Sequence, residues 1–586
     1  FSFYLSFVGR SQIGFSDYYT DTITSDFQTL GPIGTINESL GTLDQSFISV
    51  TNSRFFLADN YLNSNGSTID YLNLVSKDER NYISALPHIG FGYVFGSQGA
   101  QHLLFRYGQV LPKNWVINTT IESTKLEGFF RNTSFSESYY GFSLSKQSDK
   151  FGLIINGNTD KVEREWSGGV LNDSLLDFFA PQFIPVLKDN CKSTIRGFKG
   201  AIGSYLRLLE HQKFNLKYIN ESSVYGRNRL FNETDTLSGI YENTYFDTLV
   251  SKDQYQQSTV DHLSGFRINA GKHMYTAGVK ALYWNYRNMG MFRDTLELNI
   301  EHKMHLKWNR LMVDHYASYN LLGAFNGWKM KQSVSYKQES KSNGSNFTYR
   351  FRNSFGKNMP QVHQRFYLSN NTVYNNSTMK LESYYKQDLS TEYYRALGVV
   401  GDLRLSLSYH LGIHRDIYYF DTQNSNWINT SSLSNNTIHQ LKFKYEYEKK
   451  NLNIRQSYTY SAVNNQKLIM PQHYLYGSFD YKMGLFKDKK MEVILGLNYS
   501  LSSKTHVIPI LENMGVYDFL NIDTDQVQKG LFNIGVYSAI EIETFRFFLR
   551  VNNLGYLWND LQWNYIENIY LPEVTVRVGI TWDFWN

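Results

Sequence analysis

A lone cysteine, Cys191, leaves this 586-residue chain without an internal disulfide, and nine prolines are too few for a proline-rich or collagen-like class. Long apolar runs are missing as well: nowhere do about 20 consecutive apolar residues occur, so no bilayer-spanning helix is encoded. Charge is sparse at 19% of residues, and 58 basic against 53 acidic side chains leave +5, too little over this length to imply a nucleic-acid partner. Aromatic residues are plentiful instead, with Tyr 45, Phe 40 and Trp 10 making 16% of the chain. So many rings with so few charges exclude disorder. Length alone allows about three or four soluble domains or one large architecture. No second globular domain and no internal repeat stands out beyond the rhythm described next.

That rhythm has a period of two. Leu403, Leu405, Leu407, Tyr409, Leu411 and Ile413 alternate without a break with Arg404, Ser406, Ser408, His410, Gly412 and His414. Met491 to Leu501 and Leu296 to Trp308 alternate in the same way, with Ile494 and His302 as the exceptions. A strand buries every second residue, whereas a helix buries every third or fourth, so these are strands. Leu441 to Tyr447 and Leu452 to Tyr460 form a long antiparallel hairpin around Lys449, Lys450 and Asn451. Short polar connectors recur at Leu111–Asn114, Ser148–Lys150, Glu210–Gln212, Ala270–Lys272, Asn309–Arg310 and Glu543–Thr544. Between them lie long Asn-, Ser- and Gly-rich segments near 160–192, 222–256, 415–436 and 503–528, so short turns alternate with long loops.

Many of these strands exceed ten residues, while globular strands run about five or six and tilted bilayer-crossing strands need about 9–11. A soluble sandwich needs no such lengths. A closed barrel in lipid does, because it must pair every backbone group and leave no edge in hydrocarbon. The expected fold is therefore all-β: a large antiparallel transmembrane β-barrel of roughly 18–22 strands, apolar outside and polar within, with short periplasmic turns and long extracellular loops. Tyr139, Tyr140, Trp308, Tyr445, Tyr447, Tyr458, Tyr460, Tyr565 and Tyr570 fit the aromatic girdles of such a barrel. In the last strand, Val574, Val576, Val578, Ile580, Trp582 and Phe584 oppose Glu573, Thr575, Arg577, Gly579, Thr581 and Asp583. This row resembles the closing-strand signal read by the bacterial barrel-insertion machinery, although Phe584 is third from the end and not last.

The start of the chain is different. FSFYLSFV at 1–8, followed by Gly9 and Ser11 at the −3 and −1 positions before Gln12, suits the tail of a secretory signal over 1–11. Residues 12–87 are less periodic and are expected to be a periplasmic, lumenal or edge-covering segment, with the barrel over 88–586.

The stretch GSQGAQHLLFRYGQVLPKNW at 96–115, the strand at 118–130, Glu165 to Gly169 with Asp173, and the earlier Asp21-Thr22 and Leu40 to Leu43 resemble the putative porin family of Bacteroidota. The resemblance implies a barrel in the bacterial outer membrane, surrounded by its lipid, that admits small hydrophilic solutes; it implies no particular substrate or oligomeric state. The rival is a substrate-specific outer-membrane transporter or receptor, or a surface-binding barrel with a blocked lumen. TonB-dependent receptors have 22 strands around a plug, but about 75 residues before the barrel are few for a plug.

Catalytic chemistry finds no support in the sequence. His410 and His414 share a strand face about 13 Å apart, too far for one metal, and His302 and His305 point to opposite faces. No nucleophile elbow, HExxH, phosphate-binding loop or paired-cysteine motif occurs, so no enzyme, metal or cofactor is expected. Cys191 is expected in a long loop. The candidate lumen-lining groups are Arg404, Lys442, Lys444, Arg455, Arg546, Arg550, Arg577, Lys303 and Lys307, with Glu297, Glu301, Glu446, Glu492, Glu541 and Glu573 sharing the surface. With both signs present, no strong ion preference is expected.

Overall fold

Strands make up nearly all regular structure in the computed structural model of the chain, as side-chain alternation demands. It describes residues 87–586 apart from 235–243, 324–326, 340–344, 361, 417, 422–423, 430–435, 465–470, 487–490, 508–509, 515, 518–526, 529, 531, 560–563, 567–568, 571–572 and 586. The signal remnant expected over 1–11 and the segment expected over 12–87 lie outside the described residues, Pro87 excepted.

Twenty-two strands form one sheet. They are β1 (His88–Gly96), β2 (Ala100–Leu111), β3 (Trp115–Leu126), β4 (Phe135–Gln147), β5 (Phe151–Glu165), β6 (Cys191–Glu210), β7 (Asn215–Glu233), β8 (Ser251–Ala270), β9 (His273–Asn288), β10 (Met291–Lys307) and β11 (Leu311–Leu322). The second half comprises β12 (Trp328–Glu339), β13 (Ser345–Asn358), β14 (Glu382–Ala396), β15 (Asp402–Arg415), β16 (Asn436–Lys449), β17 (Leu452–Val463), β18 (His473–Leu485), β19 (Met491–Ser502), β20 (Phe532–Ile542), β21 (Phe545–Asn552) and β22 (Thr575–Trp585). Each strand pairs antiparallel with its successor, and β22 pairs with β1 from His88↔Trp585 to Gly96↔Arg577. The sheet is a closed barrel without an edge, at the upper end of the expected strand count. Side chains tie the seam at both ends: His88 Nε2 lies 3.2 Å from Asp583 Oδ1, and Arg577 Nη1 donates to Ser97 O at 2.8 Å.

The two faces of the wall separate by polarity. On β22, Val576, Trp582 and Phe584 are exposed, while Thr575, Arg577 and Thr581 between them are buried. Leu389, Leu407, Leu495 and Phe547 repeat the outward apolar row, so grease points away from the barrel axis and polar groups point into the lumen. Among the described residues no helix is long and apolar enough to cross a membrane.

Connections at one end span two to five residues, and all six expected short turns lie there. The other end carries the long connections 166–190, 234–250, 359–381, 416–435, 503–531 and 553–574. Several expectations need correction. β6, β7 and β8 have 20, 19 and 20 residues; 222–233 and 251–256 of the expected loop 222–256 are strand, whereas the expected loop 160–192 holds over 166–190. These strands run beyond the about 9–11 residues that cross hydrocarbon, and past that band water solvates both faces and the alternation fades. Cys191 is accordingly the buried first residue of β6 and not a loop residue. Tyr139 is buried on the lumenal face, leaving Tyr140 as its outward neighbour. Tyr565 and Tyr570 belong to a small hairpin within the 553–574 connection.

Candidate functional site in the lumen

Directly opposed residues on neighbouring strands lie about 4.5–5.5 Å apart, so each lumenal position starts a rung that runs round the wall. Three rungs cross β10 to β15. One reads His305, Asp314, Ser333, Arg352, Asp388 and His410; the next reads Lys303, Tyr316, Lys331, Ser354, Lys386 and Gly412; the third reads Glu301, Ser318, Lys329, Gly356, Tyr384 and His414. The acids are already engaged. His305 Nδ1 lies 2.6 Å from Asp314 Oδ1, and His410 is hydrogen-bonded to Asp388. Arg350 reaches Glu392 at 3.4 Å, and Glu301 takes Tyr316 Oη at 3.3 Å and Lys303 Nζ at 4.0 Å. Lys329 Nζ stands 5.4 Å over the Tyr316 ring and Lys386 Nζ 5.9 Å over the Tyr384 ring. Of these side chains Lys303, Asp314, Tyr316, Lys331, Arg352, Tyr384 and Lys386, among others, line a pocket of about 770 Å³.

The adjoining wall of β7 to β9, which continues from β10, is covered. Its lumenal face carries Tyr255, Trp284 and Tyr286, and Val362 and Phe366 of the 359–381 connection pack on those rings. Burial of each such side chain contributes about 1.5–3 kcal/mol. Tyr286 Oη donates to Phe366 O at 2.7 Å, and Arg293 lies 5.1 Å over the Phe366 ring. Asn370 fastens the same connection to β8 and to the connection before it: its N donates to Asp253 Oδ1 at 2.9 Å and its Nδ2 to Asp247 O at 2.6 Å. The 503–531 connection is held by charge. Lys188 Nζ bridges Glu512 at 3.1 Å and Glu233 at 3.4 Å, all three buried; Arg229 Nη2 donates to Glu512 O at 2.7 Å and Gly168 N to Glu512 Oε1 at 3.1 Å. Above them Tyr367, Tyr374, Tyr418, Phe420, Trp427 and Met514 form an aromatic core shared by three connections. Trp427 Nε1 donates to Tyr374 Oη at 2.8 Å, and burial pushes the Tyr374 hydroxyl well above its ordinary pKa, so it stays protonated.

The residues singled out in the sequence fall into three groups. Glu301, Lys303 and Glu297 belong to β10, where Glu297 accepts from Trp284 Nε1 and Asn320 Nδ2, each at 3.3 Å; Lys307 ends that strand. Arg404, Lys442, Lys444, Glu446 and Arg455 meet on β15 to β17, with Arg404 4.0 Å from Glu446 and Arg455 opposite it. Arg546, Arg550 and Arg577 share β21 and β22; Arg546 pairs with Glu541, which is opposed by Glu492, and Arg577 is wholly buried. Glu573 is displaced from this surface. The β21–β22 ladder ends at Asn552↔Thr575, so Glu573 precedes the strand and accepts from Tyr556 Oη at 3.0 Å. Sequence reasoning missed Tyr316, Lys331, Arg352, Tyr384 and Lys386. Their signal was present in β12, where Lys329 and Lys331 alternate with Trp328 and Met330. Among the described residues no three His, Cys, Asp or Glu side chains are grouped so as to hold a metal ion.

The fold has solved counterparts at low sequence identity, which supports the fold alone. The copper transporter OprC aligns at 10% identity and a TM-score of 0.62, covering 86% of this chain and 82% of that one. The FrpB iron transporter from Neisseria meningitidis (F5-1 variant), in its apoprotein form, gives 8%, 0.58, 85% and 81%. The siderophore receptor PirA from Acinetobacter baumannii gives 11%, 0.59, 86% and 81%. No curated protein matches the chain in sequence. The model of the family described as "Putative porin" matches residues 12–586, nearly the whole chain, and the chain belongs to that family.

Proposed function

We propose that this protein is an outer-membrane porin through which small hydrophilic solutes diffuse past the wall of β10 to β15. The observation that carries this reading is the closed barrel with its outward apolar face, polar lumenal rungs and a pocket of about 770 Å³ on the uncovered wall. In this reading the short turns face the periplasm, the long connections face the outside, and the last strand is what the insertion machinery reads. No catalytic step is involved. Passage is selected by width and by the charges along the wall. The test is conductance of the refolded protein in planar bilayers, with uptake of sugars of increasing size into liposomes. Stepwise channels and a size cut-off are expected; their absence would sink the porin reading.

A second reading has its own support. Three long connections share one aromatic core and two of them, 359–381 and 503–531, are bonded to the β7 to β9 wall, an arrangement that suits a gated, substrate-specific transporter. The solved proteins of similar fold named above are transporters and a receptor. Saturable binding of one solute without conductance would favour it.

A further inference from the structure

We propose that the β10 to β15 pocket is a binding subsite for a small polyhydroxylated anion: a carboxylate or phosphate on a hydroxyl-bearing skeleton. The proposal rests on the porin reading only for its route of access.

Charge on this wall is not fully matched. On this wall Asp314, Asp388, Glu392 and Glu301 are each occupied by a neighbour on the wall itself. Lys331 and Arg352 form no ion pair among the described residues, yet both line the pocket. The register sets Lys331 opposite Ser354 and Ser333 opposite Arg352, so the two cations are diagonal neighbours about 7–8 Å apart. The pocket lining carries Lys303, Lys331, Arg352 and Lys386 against Asp314, Asp388 and Glu382, so cations outnumber carboxylates even with Asp388 directly opposite Arg352, and the surplus draws in a counter-anion. Arg352 offers a planar fork to a carboxylate or phosphate, and Lys331 offers a point charge beside it.

The neighbours of these cations specify the rest of the solute. The Lys331 rung places Tyr316 on one side and Ser354 on the other, and Tyr384 lies one rung further along. Hydroxyl groups accept and donate, so they match a hydroxylated skeleton better than a bare inorganic ion. Glu382 also lines the pocket, but it stands four residues, about 13 Å, along β14 from Lys386. Buried at the loop-side rim, it stands clear of the two cations and offers its carboxyl to the solute's hydroxyls there. Nothing in this chemistry calls for a metal complex, which separates the site from the cargoes named for the proteins of similar fold.

The test is calorimetric titration of the refolded full chain in detergent with D-glucuronate, D-glucose and acetate, beside the Lys331→Gln/Arg352→Gln double variant and the charge-keeping Lys331→Arg/Arg352→Lys variant. Glucuronate is expected to bind, more tightly than glucose or acetate, and the double Gln variant to lose about tenfold or more in affinity while the charge-keeping variant stays near wild type. Equal binding of glucose and glucuronate, equal binding of acetate and glucuronate, or undiminished binding by a folded double Gln variant would overturn the proposal. Bilayer conductance of the same preparations separates the two claims. Glucuronate binding without channels removes the porin reading and leaves the subsite, whereas channels without glucuronate binding do the reverse.

Discussion

Two adjoining stretches of the lumenal wall obey the same alternation and end up in opposite states. Between β7 and β9 the inward positions include Tyr255, Trp284 and Tyr286, and a connection folds in and covers them. Between β10 and β15 the inward positions are lysines, histidines, carboxylates, serines and two tyrosines edged by charge, and they line a pocket. Three large rings side by side present apolar area that water leaves at a gain, so a loop docks there. Where lysines lie over the tyrosine faces, as at Tyr316 and Tyr384, the ring is already capped and a loop gains little. The contrast therefore concerns which inward rings are free to be covered.

The strongest way to break that contrast is to strike the buried charges that hold the covering loops. Lys188→Met leaves Glu233 and Glu512 facing each other without their shared cation, at a cost of about 3–5 kcal/mol to the packing of the 503–531 connection. At 1.4 kcal/mol per tenfold, limited proteolysis in that connection should accelerate about 100-fold or more; an unchanged rate would mean the bridge holds nothing. Next in size is excision of residues 362–378, bridged by a short Gly-Ser turn. The rings at Tyr255, Trp284 and Tyr286 are then bare, and single-channel conductance should rise severalfold. If it does not, the covered wall is not where passage is restricted. Smaller still is Tyr286→Phe, which deletes one hydrogen bond to Phe366 O and keeps the ring. About 1 kcal/mol of loop docking should be lost, seen as a modest rise in hydrogen exchange across 362–376.

Much of this architecture was legible in the chain. The alternations of β15, β19 and β22, and the turn between β16 and β17, fall where the sequence put them, because lipid on one face and water on the other impose a strict period of two. The same rule failed where one of its conditions lapses. β7 and β8 extend beyond hydrocarbon, so their loop-side halves look like polar loops. The 359–381 connection went unnoticed because its hairpin, Phe366–Leu368 with Val373–Asn375, is as rich in apolar and aromatic residues as the strands around it. The pocket was only half legible. Glu301 and Lys303 stood out, but recognising that Lys331 and Arg352 belong to a surplus of cations required the cross-strand register, which no single strand contains.

The smallest expected effect sharpens the contrast most. Lys188 and Lys331 are both lumen-side lysines, and the same replacement by Met can be made at each. Lys188 is buried between two carboxylates; Lys331 is exposed, forms no ion pair among the described residues, and holds no loop. Lys331→Met should therefore change stability by no more than about 0.5 kcal/mol, with the heat-modifiable gel shift and the proteolysis pattern kept. It should instead move the reversal potential in a KCl gradient toward cations, since one positive charge has left the pocket wall. A stability loss at Lys331 comparable to that at Lys188 would mean the uncovered wall is structural packing after all. A lysine that can be removed without the fold responding is one the fold does not use, and its charge is left available to a solute.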